Sequence, residues 1–164
     1  DLTPDMFRSM ADWYHAAILE LTFVENFRSS PHWIARRLKL PVPVVRSAIE
    51  RLVELGFLFR APDGELKKSS EHLATVDKTV TTAAHKRRQA EILEKSRQSL
   101  LNDPIETRVH QAMTFAIDPA CMPMARARIQ SFLRELCVDL EQGPRQQVYE
   151  CQISLFPLTQ KETL

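Results

Sequence analysis

The groups in this chain best suited to chemistry are cationic, and they cluster. Residues 28–68 hold nine Lys and Arg against four acids, a local excess of +5. Residues 1–27 hold one Arg against five acids, and the whole chain of 164 residues carries only +1. Arg36, Arg37, Arg51, Arg60, Lys67 and Lys68 offer guanidinium and ammonium donors of the kind that bind phosphate oxygens. Arg46 and Ser47 offer donors suited to base edges, with Arg46 the better placed of the two. The same charges also fit a plain solvated face, and Arg51 can pair along a helix with Glu50 or Glu54.

Such groups work only if a scaffold presents them together. Ser30-Pro31 is a helix start, Ser as N-cap and Pro at the first helical position, for a helix that buries Trp33, Ile34 and Leu38. Arg36 and Arg37 then point outward. Pro41 and Pro43 keep the turn at residues 39–42 from running on as helix. A further helix is expected over about 43–55, with Val45, Ala48, Ile49 and Leu52 inward and Gly56 as its left-handed cap. Residues 57–60 and 65–68 flank Pro62-Asp63-Gly64, a hairpin turn. Upstream, Thr3-Pro4 opens another helix, along which Phe7, Met10, Tyr14, Ala17, Ile18, Leu21 and Val24 share one face. Helix, turn, helix and hairpin in this order predict a winged helix-turn-helix, the hairpin being the wing. The front of its recognition helix, Pro41-Val42-Pro43-Val44, is poor in donors for bases.

The second half predicts α-β-α-β. Residues 69–80 are expected to be a linker, and a helix follows over about 82–101, stopped by Asn102-Asp103-Pro104. Thr107 to Ile117 alternates as a strand would, with Val109, Met113, Phe115 and Ile117 on one side. Asp118-Pro119 caps a helix with the stripe Ala125, Ile129, Phe132, Leu136 and Leu140, and Gly143-Pro144 ends it. Gln147 to Phe156 alternates again, placing Tyr149, Cys151, Ile153 and Leu155 together. Two strands make a marginal sheet with open edges, so edge-to-edge joining of two subunits is the favoured arrangement. The fold class is therefore α+β: a winged helix-turn-helix over residues 1–76, then a small α/β dimerisation or sensor domain over 77–164.

Other chemistry is thin. Trp13, Tyr14 and His15, together with His85, Arg88 and Arg108, form a candidate effector site for an anion, though interdomain hydrogen bonds and an aromatic belt suit the same residues. Cys121, Cys137 and Cys151 are odd in number and widely spaced, which predicts buried thiols in a reducing cytoplasm rather than disulfides or a zinc site. Cys121 or Cys137 with His110 lacks a third positioning group. Three glycines, no phosphate-cradling loop and no His-Glu-x-x-His argue against an enzyme, and no metal or cofactor is expected. No apolar run approaches a membrane span and no signal peptide opens the chain.

Several blocks carry a family resemblance over nearly the whole chain. They are Trp13 to Leu21, Trp33 to Leu38, Ala48 to Leu52 with Leu55-Gly56-Phe57, Arg108, Val148-Tyr149 and Leu155 to Thr159. The chain resembles a bacterial family known from predatory and fibre-degrading species, catalogued as a domain of unknown function with predicted winged-helix regulators. The resemblance implies an upstream helix-turn-helix like that of phage repressors, absent here and consistent with a first residue that is not Met. It carries over no ligand or catalytic residue. Together these readings predict a cytoplasmic transcription regulator or its C-terminal fragment, a homodimer on double-stranded DNA. The alternative is a protein-interaction module whose winged helix packs on other subunits without touching nucleic acid.

Overall fold

The computed structural model describes residues 11–69 and 83–160. Along the chain run α1 (Trp13–Leu21), α2 (Pro31–Leu38), α3 (Val42–Glu54), β1 (Leu58–Arg60), β2 (Leu66–Lys68), α4 (Ala83–Asn102) and α5 (Met122–Leu140). Single 3-10 turns at Ile105–Thr107 and Pro119–Cys121 flank the stretch between α4 and α5. The fold is thus mixed α+β, helical with one small antiparallel sheet among the described residues. The helix start at Thr3-Pro4, the linker at 69–80 beyond Ser69, and the domain boundary at 76/77 lie outside them.

The chain divides into two compact units. The first takes the chain up to His110 and the returning stretch Gly143–Val148; the second takes residues 111–142 and 149–164.

In the first unit local chemistry fixes each boundary. The Ser30 side chain accepts from the Trp33 N–H, which opens α2, and Lys39 ends it in the left-handed region. A proline at the start of α2 and of α3 gives up no useful donor, because the first N–H groups have no partner inside a helix. At the end of α3, Gly56 adopts φ +77°; its N–H reaches the Val53 carbonyl at 3.0 Å and the Phe57 N–H the Leu52 carbonyl at 2.9 Å. This pair of bonds satisfies two carbonyls that the helix leaves open, and it needs a residue without a Cβ penalty.

The chain then turns straight into β1. The β1–β2 hairpin pairs Leu58 with Lys68 and Arg60 with Leu66. Its turn is closed by Gly64 N–H to Ala61 O at 2.8 Å and by the Asp63 carboxylate accepting from the Glu65 N–H.

Ile18, Leu21, Ile34, Val45, Ala48, Ile49, Leu52, Phe57, Leu58 and Leu66 meet in one buried cluster. The inward positions expected on α3 are the ones buried. Complete burial of a side chain such as Leu52 contributes roughly 1.5–3 kcal/mol from apolar area alone. Two later segments lock onto this core. α4 lies on the start of α1, where the Trp13 N–H donates to Glu91 at 3.0 Å and Arg87 pairs with Asp12. The returning stretch brings Arg145 O to the Glu25 N–H at 2.7 Å, Gln146 O to Arg37 at 2.9 Å, and Val148 against the core.

The second unit departs from expectation. Its helix forms as expected, but residues 107–117 and 147–156 join no strand ladder. Alternation records which side chains want the same side; a ladder also requires a neighbouring backbone, and the described residues provide none there. No residue of α5 is buried. The three cysteines are exposed rather than buried, so the expectation of core thiols is corrected. Among the described residues no helix is long and apolar enough to cross a membrane.

Candidate nucleic-acid interface

The cationic residues of the first unit fall into three states. Arg36, Arg46 and Arg60 are exposed, as is Ser47. No ion pair joins these three arginines to another described residue. Arg46 and Ser47 sit on the outer side of α3, a helix whose inner side is held by Val45, Ala48, Ile49 and Leu52. Glu50 and Glu54 continue that outer side toward the C-terminal end, so only the N-terminal half of α3 suits a polyanion.

A second set is partly engaged. Lys67 lies 3.7 Å from Glu65 and 4.0 Å from Asp63, all on the exposed hairpin, where such pairs exchange readily with other anions. Arg51 is exposed at the rim of a shallow cleft of about 310 Å³ with Tyr14, His15, Pro43, Val44 and Ser47.

The third set is committed to the fold. Arg37 lies 5.3 Å from the centre of the Trp33 ring and donates to the Gln146 carbonyl. Lys68 meets Glu20 at 2.7 Å and lies over the Phe23 ring. Both residues looked outward in sequence, yet each holds together segments far apart in the chain.

The candidate effector residues do not assemble as one site. His15 is buried; its Nδ1 lies 3.3 Å from the Asp12 carbonyl, and Nε2 has no hydrogen-bond partner. Burial penalises the imidazolium and lowers its pKa, so the ring is neutral and Nε2 is the acceptor when Nδ1 donates. Tyr14 donates to Asp12 at 2.8 Å, and burial, then that carboxylate, push its pKa up to about 12. Trp13 carries Lys95 over its ring, 4.1 Å from the centre. His85 and Arg88 are partly buried in the first turns of α4, on the helix that docks against α1. Arg108 instead caps the far end of α4 through the Asp103 carbonyl at 3.0 Å, beyond a helix about 30 Å long.

Asp12 was missed by sequence reasoning. It ties Tyr14, His15 and Arg87 together, and a lone acid ahead of an aromatic pair gives little signal of that.

No curated protein and no solved structure matches this chain. A family profile described as "Domain of unknown function (DUF4423)" matches residues 1–158, nearly the full length, and the chain belongs to that family.

Proposed function

We propose that the first unit is a winged helix-turn-helix that docks on double-stranded DNA, and that the chain is a transcription regulator or the C-terminal part of one. The N-terminal half of α3 enters the major groove, with Arg46 and Ser47 toward base edges. Arg36, Arg60 and Lys67 bind phosphates on either side. One observation carries the reading: an open helix side bearing Arg46 and Ser47, on a helix whose other side is fixed by the core, with three arginines in that module left without described ion pairs.

A second reading rests on the Pro43–Val44 edge of the Tyr14 cleft. An apolar front of this kind packs well against another protein.

Salt titration of duplex binding tests the proposal. Each phosphate neutralised adds about 0.9 to the slope of log affinity against log salt. Arg36→Ala with Arg60→Ala flattens the slope by about 2, while Arg46→Ala weakens binding to the preferred sequence by about tenfold and relaxes that preference. An unchanged slope in the double variant removes this face from the DNA.

A further inference from the structure

The second unit leaves a large apolar surface open. Met113 is 83% exposed, and Phe115, Ile117, Tyr149, Ile153, Phe156 and Leu158 of the same unit are exposed as well. Met124, Phe132, Val138 and Leu140 of α5 are open as well, at 53%, 51%, 60% and 72%, and proteins that act as single copies rarely leave so many large apolar side chains of one unit to water. Among the described residues, 111–117 make no backbone hydrogen bond to another segment.

The pattern along α5 says what fits there. One side, Ala125, Ile129, Leu133 and Leu136, is partly covered within its own unit. A different side carries Met124, Arg128, Phe132, Glu135, Val138 and Asp139, all exposed and spaced at three and four residues. This open stripe has a charge order: Arg128 toward the helix start, Glu135 and Asp139 toward its end. A helix with that order is complementary to itself when reversed.

We propose that the occupant is a second copy of this chain, its α5 antiparallel to the first about a twofold axis between Leu133 and Arg134. Positions whose numbers sum to 267 then face each other, so Arg128 meets Asp139 of the other copy twice over, and Phe132 packs beside Glu135 at the centre. The apolar residues of 111–117 and 149–158 extend the contact. This inference does not depend on DNA binding.

Sedimentation equilibrium of the whole chain, with a charge swap, provides the test. The wild type sediments at twice its 18.9 kDa at about 10 µM. Arg128→Glu faces acid with acid at two symmetric places and raises the dimer dissociation constant at least about tenfold. Arg128→Glu combined with Asp139→Arg restores it to within about threefold. Eleven residues of helix separate these side chains by about 16 Å within one copy, so restoration comes only from the other copy. Phe132→Glu, read by the same method, sediments as a single copy while circular dichroism keeps its helix signal. A wild type that stays at 18.9 kDa overturns the proposal, whether its own chain or a different protein covers the stripe. A swap that fails to restore association overturns the antiparallel register.

Discussion

The two units solve the same problem differently. In the first, α1, α2, α3 and the hairpin bury ten large or medium side chains in one cluster that includes Ile18 and Leu52, and Arg36, Arg46 and Arg60 stay outside it. In the second, α5 buries no residue, and Met124, Phe132, Val138 and Leu140 stay open. A charged open face suits a polyanion and weakens steeply with salt, whereas an apolar open face suits burial and is nearly indifferent to salt. The difference separates a module with a core of its own from one whose helix is left open.

The largest expected effect probes that separation by removing core volume. Leu52→Ala leaves a cavity between α1, α3 and the hairpin and costs about 3 kcal/mol of stability. Phe132→Ala in dilute protein costs less than about 1 kcal/mol, because its ring faces water in the single copy. Urea unfolding followed by circular dichroism distinguishes them, because the helix signal comes from both units. A midpoint that moves equally for both variants would break the contrast.

The same contrast explains what could be read from sequence. The Ser30 cap, the Gly56 ending and the Pro62-Asp63-Gly64 turn were legible because each is decided within five residues. The burial of Val45, Ala48, Ile49 and Leu52 followed from their spacing. Partners distant in the chain were not legible. Lys68, read in sequence as a phosphate ligand, pairs in the fold with Glu20, 48 residues away, and Arg37 donates to a carbonyl 109 residues on. Alternation at 107–117 and 147–156 marked strand-like side chains correctly as apolar, but no sequence pattern says whether the neighbouring strand exists in the same chain. Thiol burial failed for the same reason, because Cys121, Cys137 and Cys151 lie in the unit that has not closed on itself.

A smaller effect comes from the buried imidazole of the first unit. Burial lowers the pKa of His15 below the ordinary 6.5, so below that value the unfolded chain binds a proton the folded chain refuses. Stability from this group therefore falls as pH drops through 6.5 toward the folded value. Comparing urea midpoints at about pH 7.5 and about pH 5.5 shows a loss for the wild type and a smaller loss for His15→Leu. Equal losses in both proteins would remove His15 from the balance.

The smallest is the Lys68–Glu20 pair, half-open to water on the acid side. Lys68→Met costs at most about 1 kcal/mol of stability and leaves the salt slope of DNA binding where it was. A flattened slope would return Lys68 to the phosphate contacts and blur the line between structural and binding cations.

Hydrogen exchange of the whole chain at two concentrations, about 0.1 µM and about 50 µM, reads both units at once. Amides of α3, residues 42–54, exchange equally slowly at both, because their own chain protects them. Amides of α5, residues 122–140, slow at least about tenfold at the higher concentration as a second copy covers the helix. Exchange in α5 that is the same at both concentrations would contradict the account.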